Sequence, residues 1–195
     1  MRLFVFSRHA ETTLNHEHRI NGDPSVQVGL TDSGERQARL LGFEVAGLPL
    51  EVAVHTRFGR TMMTAELALA ARPVPLVEEP LLDDIDVGDL EGRSIDEYRA
   101  WKREHTRHDP FPGGESLDDA ARRYARAFHT LLERDEQQLL VVCHEIPIRY
   151  ALNAAAGSND LDAPAHEIPN ARPFLFDTNA LARATTQIEK VVAPG

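Results

Sequence analysis

The chain has 195 residues, 42% of them apolar and 27% charged. That is enough for one packed domain burying about 70% of the unfolded chain's surface, and the balance excludes disordered, collagen-like and coiled-coil proteins. Thirty-one Asp and Glu against 21 Lys and Arg give a formal charge of -10, which repels phosphate backbones and anionic lipid and argues against nucleic-acid and membrane partners.

At the start, Arg2 is followed by only Leu3, Phe4, Val5 and Phe6 before the polar Ser7-Arg8-His9. A secretory leader needs an apolar region of about 7–15 residues, and no stretch approaches the ~20 apolar residues of a membrane span, so a cytoplasmic location is expected. The single Cys143 excludes an intrachain disulfide and lacks the paired thiols of a structural zinc site. Residues 3–6 read as a strand buried on both faces of a parallel sheet. Thr31 reads as the N-cap of a helix carrying Ala38, Leu41, Gly42 and Val45 at helical spacing, with Gly47-Leu48-Pro49 as its stop. Val52-Ala53-Val54 predicts a second strand ending at His55-Thr56.

Residues 60–71 carry Met63, Leu67 and Ala70 at helical spacing before Pro73 and Pro75, and residues 74–77 form a short strand candidate. Residues 95–103 read as helix, and residues 109–114 as a Pro/Gly loop. Ser116 with Asp119 is a capping box opening the clearest helix, striped by Leu117, Ala120, Tyr124, Phe128 and Leu131. Residues 139–143 are a further buried strand; His144-Glu145 follows it, then a helix with Pro147 in its first turn. A polar connection runs to about Pro173, and residues 174–176 and 181–192 read as late edge strands. The alternation predicts an α/β fold, a three-layer, mostly parallel sheet with helices on both faces.

In such sheets ligands bind beyond the carboxyl ends of the strands. Three strands deliver polar residues there: Arg8-His9, His55-Thr56 with Arg60 on the next helix, and His144-Glu145. Arginine forks and free helix amides suit a dianionic phosphoryl group, so the expected ligand is a phosphate ester. A neutral imidazole there can attack phosphorus, and flanking arginines depress its pKa while stabilising the developing charge.

The same residues carry a resemblance to the histidine phosphatase superfamily, which includes cofactor-dependent phosphoglycerate mutases and small-molecule phosphatases. Arg8-His9-Ala10-Glu11-Thr12, then Asn15, Arg19, Gly22, Leu30-Thr31, Gly34 and Gln37-Ala38, follow the family's opening pattern. Residues 59–66 resemble its second block, residues 82–92 its acid block, residues 113–116 a further segment, and residues 141–145 the strand before its second histidine. The resemblance implies a phosphoglycerate mutase-like fold over residues 1–195, with a lid at about 93–115. It implies His9 as phosphorylated nucleophile, Asp84 as general acid and His144 as second catalytic histidine. Arg8, Asn15 and Arg60 are then phosphate-binding, and Glu145 is placed with that set, where its carboxylate either repels the substrate or orients a cationic part of it.

Four departures from the family pattern stand out. Ala10 replaces a glycine, Asp84 a glutamate, Thr56-Arg57 a Ser-Pro pair, and Glu145 a glycine. A register slip would hand the acid role to Asp83 or Asp86. His16 and His18 read as exposed rather than metal-binding, and Arg99, Lys102, Arg103 and Arg107, with Trp101, His105 and His108, form a basic cluster facing either solvent or substrate. The expected activity is hydrolysis of a small phosphorylated metabolite through a phosphohistidine, with neither metal nor cofactor. The alternatives are a phosphomutase and a non-catalytic phospho-ligand-binding module. Oligomeric state stays open, with a homodimer allowed.

Overall fold

A computed structural model describes residues 2–70 and 72–193. Five strands, β1 (Leu3–Arg8), β2 (Val52–His55), β3 (Leu76–Glu78), β4 (Gln138–Cys143) and β5 (Pro173–Asp177), form one sheet in the order β3-β2-β4-β1-β5. Neighbours pair parallel except β5, which runs antiparallel to β1 at the edge. The helices are α1 (Thr13–His16), α2 (Asp32–Glu44), α3 (Gly59–Ala68), α4 (Ile95–Glu104), α5 (Leu117–Glu133), α6 (Glu145–Ala155) and α7 (Thr178–Val191).

Period-2 alternation explains why the central strands are apolar throughout. Phe4, Phe6, Val52, Val54, Leu139 and Val141 enter the core that also holds the buried residues of α5, α6 and α7. Val5, Ala53, Leu140 and Val142 point the other way and pack with Ala38 and Leu41 of α2 and Ala65 and Ala68 of α3. Helices therefore cover both faces, in the three layers expected. Among the described residues no helix is long and apolar enough to cross a membrane.

The capping signals hold in detail. Thr31 accepts from the amide of Gly34, and Ser116 and Asp119 close the capping box of α5. Three element assignments need correction. The helix expected over 60–71 is α3, ending at Ala68; Ala71 lies outside the described residues. The strand expected over 74–77 starts at Leu76, because Pro75 has no amide to donate and joins β2 only by accepting from Ala53. Residues 181–192 are not an edge strand but most of α7. Asp177 caps that helix through the amide of Ala180, and Leu181, Ala184, Thr185 and Ile188 are its buried stripe. An i, i+3, i+4, i+7 spacing is helical, so the period outweighs the β-branched content.

Candidate active site

Because β1, β2 and β4 are parallel, their carboxyl ends meet on one edge and bring Arg8, Thr56 and His144 together. The amide of His9 donates to the carbonyl of Cys143, and that of Ala10 donates to Thr64 Oγ1 at 2.9 Å, which seats the chain just after β1. Positive φ among the non-glycine residues described belongs to His18 and Ala171, not to Ala10. The methyl group of Ala10 is fully buried beside Val5, Ala38 and Val142, so the glycine-to-alanine departure fits this backbone.

His9 is 3% exposed, and its Nδ1 lies 2.8 Å from the carbonyl oxygen of Ala10. A carbonyl only accepts, so Nδ1 carries the proton and Nε2 of the neutral ring keeps its lone pair. Burial first, then the charges of Arg60 and Arg8, hold its pKa well below the ordinary histidine value.

Arg60, from the first turn of α3, is 4% exposed and stacks its guanidinium 4.1 Å from the ring centroid of Phe58. Its Nη1 donates to Asn21 Oδ1; its Nη2 reaches Asn21 O at 3.0 Å, Asp84 Oδ2 at 2.9 Å and His144 Nδ1 at 3.1 Å. Since a guanidinium only donates, neutral His144 accepts at Nδ1 and must donate from Nε2 to Thr56 Oγ1, 3.0 Å away. Thr56 is in turn bonded to Thr61 at 2.9 Å, whose hydroxyl meets the carbonyl of Phe58 at 2.8 Å. Burial, then Arg60, keeps the pKa of His144 well below the ordinary value. His144 thus reaches the site but stands fully buried behind Arg60, off the cavity wall.

The acid block resolves its own register. Asp83 is turned toward Arg57, accepting from its amide at 3.0 Å and from its Nε at 2.5 Å. A proline at position 57 could not make the first of these bonds. Asp86 is exposed and accepts from the amide of Gly88. Only Asp84 of the three faces Arg60 and His144, the latter at 3.4 Å. Burial raises its carboxyl pKa against the opposing pull of Arg60. Arg123 fixes this loop by donating to the carbonyls of Leu81, Asp83 and Asp84 while paired with Glu115 at 2.5 Å.

Arg8, His9, Asn15, Arg60, Asp84 and Glu145 all line one cavity of about 540 Å³. Asn15 Oδ1 accepts from the amide of Thr12, a capping-box contact of α1. Glu145 is paired with Arg8 at 2.9 Å and Arg149 at 2.5 Å, so a carboxylate, an acceptor only, meets an anion here only through these arginines. His55 is not on the cavity wall, and its Nδ1 bonds the carbonyl of Thr56. His16 and His18 are exposed, and no group of three or more His, Cys, Asp or Glu among the described residues is arranged to hold a metal ion.

The basic cluster divides. Arg99, Lys102 and Arg103, on one face of α4, line the cavity together with Tyr98. Arg107 instead bonds Asp118 and Asp162, His108 bonds Asp118, and Trp101 stacks on His105 at 4.1 Å.

Sequence reasoning missed several contributors. Asn21 stands beside the motif residue Gly22, and Arg149 lies one helical turn after Glu145, so both had a local signal. Ile168, whose carbonyl accepts from Arg8, and Asn170, whose amide donates to the carbonyl of His9 at 2.7 Å, sit in the polar connection and had none.

Comparison with known proteins agrees with this fold. The profile of the Histidine phosphatase superfamily (branch 1) matches residues 4–180. The chain is 30% identical over 158 residues to "Probable phosphoglycerate mutase GpmB" of Erwinia tasmaniensis, covering 77% of this chain and 73% of that one. Among solved structures, Bacillus stearothermophilus YhfR shares the fold with a TM-score of 0.79 at 24% identity, over 91% of both chains. An Escherichia coli candidate alpha-ribazole-5'-P phosphatase aligns with a TM-score of 0.72 at 26% identity, over 80% of each chain. With nearly its whole length matched, the chain belongs to the histidine phosphatase superfamily, branch 1.

Proposed function

We propose that this protein is a phosphomonoesterase that hydrolyses a small phosphorylated metabolite through a phosphohistidine on His9. The observation that carries the reading is a neutral imidazole whose Nδ1 is tied to Ala10, set in one cavity with Arg8, Arg60 and a carboxyl of raised pKa on Asp84. Arg8, Arg60 and Asn15 hold the phosphoryl oxygens, and His144 fixes Arg60 from behind. His9 Nε2 attacks phosphorus, the ester P–O bond breaks, and Asp84 passes its proton to the departing alkoxide. Water then attacks phosphorus and gives its proton to Asp84, the P–N bond breaks, and inorganic phosphate leaves. Arginine charge stabilises both transition states without a metal.

The segment over about 93–115 acts as a lid, since α4 places Tyr98, Arg99, Lys102 and Arg103 on the cavity wall. These residues contact the leaving group.

The test is release of inorganic phosphate from an aryl phosphate and a metabolite panel in EDTA, comparing wild type with His9→Ala. Turnover lost in the variant is the expected result; equal turnover, or dependence on added divalent metal, overturns the reading. The printed name of the Erwinia relative favours a second reading, a phosphomutase. Appearance of a phosphate-shifted isomer in place of inorganic phosphate would select it. Phosphate binding without a trapped phosphohistidine would indicate a binding module.

A further inference from the structure

We infer that Glu145 is a built-in competitor for the phosphoryl site: its carboxylate contests Arg8 with the phosphoryl group and keeps affinity for inorganic phosphate low. The inference rests on the phosphate-binding role proposed above for Arg8. Glu145 occupies the first turn of α6, where the helix dipole favours an anion. Its Oε2 lies 2.9 Å from Arg8 Nη1, the same nitrogen that donates to the carbonyl of Ile168 at 3.0 Å. A phosphoryl oxygen approaching that nitrogen must share it with the carboxylate or displace it.

Displacement has somewhere to go. Oε1 of Glu145 is held by Arg149 Nη2 at 2.5 Å, and Arg149 is itself anchored by donating to the carbonyl of His166. Glu145 can therefore release Arg8 and keep a cationic partner. The two other carboxylates on the cavity wall are placed differently: Asp84 faces Arg60, and Asp162 is taken by Arg107 and lies 3.6 Å from Lys102. Among the described residues Glu145 is the only carboxylate paired with Arg8. The consequence for a hydrolase is that its product, a free anion, meets an internal rival for one of its two arginines and leaves more readily.

Calorimetric titration of the full chain with inorganic phosphate tests this, at about 0.1 M and about 0.5 M KCl, where screening shortens long-range charge effects. Glu145→Gln is expected to tighten phosphate binding about tenfold, with inhibition of aryl phosphate turnover by phosphate strengthened in step. Arg149→Gln is expected to act oppositely, weakening binding about threefold, because the carboxylate then has Arg8 alone. The Glu145→Gln contrast should persist at the higher salt.

Unchanged or weaker binding in Glu145→Gln, a contrast that vanishes at high salt, or no phosphate binding by either protein overturns the inference. Should Glu145→Gln fail to fold, Arg149→Gln decides: equal or tighter binding overturns it. Aryl phosphate turnover in the same samples reports separately on the phosphatase reading, so absent turnover with the binding contrast intact would remove that reading and leave Glu145 as competitor.

Discussion

Replacing Gly34 with alanine offers a sharp test of how the loop that carries His9 is seated, because two effects of opposite sign meet there. Helix propensity alone favours alanine by up to about 1 kcal/mol. Against it, a Cβ at position 34 would lie 2.1 Å from the carbonyl oxygen of Glu11. Glu11, two residues beyond His9, cannot simply move aside. Its carbonyl accepts from the amide of Thr31 at 3.0 Å, its amide donates to Gln37 Oε1 at 2.9 Å, and its carboxylate accepts from the Thr31 hydroxyl at 2.6 Å. Overpacking of this kind costs about 1–3 kcal/mol, so the net destabilisation is about 1–2 kcal/mol. For a chain of this size that lowers the melting temperature by about 2–8 °C. Differential scanning calorimetry of Gly34→Ala beside Gly47→Ala, where an added Cβ meets nothing within 4 Å, measures it. Phosphate release below the transition should also fall severalfold in Gly34→Ala, as the loop bearing His9 shifts. A Gly34→Ala protein as stable as wild type or more so would refute the packing argument.

Two further outcomes follow from the charges of the site. Asp84→Asn should lower kcat/KM for an alkyl phosphate by about 10²–10⁴-fold while sparing kcat/KM for a nitrophenyl phosphate, whose nitrophenolate leaves without a proton; equal losses on both substrates in kcat/KM, which leaves out the hydrolysis of the phosphohistidine they share, would deny Asp84 the role of acid. Stability should fall with pH. His9 and His144 are both held below the ordinary value of 6.5 in the fold, so beneath about pH 6.5 the unfolded chain binds the protons that the folded one refuses. The stabilisation is complete above that pH and is lost as pH drops toward the folded values, by up to about 1.4 kcal/mol per pH unit for each group. Asp84, held above its ordinary value, acts in the opposite sense over the window above about 3.9. Comparing wild type with His9→Asn therefore isolates one histidine: the variant's melting temperature should decline less steeply between about pH 7 and pH 5, and identical slopes would contradict the assignment.

Local chemistry made much of this protein legible from sequence. The caps at Thr31 and Ser116, the doubly buried strands and the polar residues at their carboxyl ends are written in short-range patterns, because capping, side-chain period and strand polarity act over a few residues. The family's ordered blocks put His9, Arg60 and His144 at strand ends and a helix start. Over residues 181–192 the helical spacing of Leu181, Ala184, Thr185 and Ile188, with the cap at Asp177, decides against the edge strand expected there.

Other decisions belong to tertiary structure alone. That Asp84 rather than Asp83 faces the cavity depends on Arg57, 26 residues from Asp83, reaching across to bind it. That Arg107 serves Asp118 and Asp162 while Arg99 and Arg103 face the cavity depends on which side of α4 the chain leaves. Asn170 reaches the carbonyl of His9 across 161 residues. Such partnerships are set by where the sheet order brings distant loops, and no local pattern encodes which of several carboxylates a given arginine will meet.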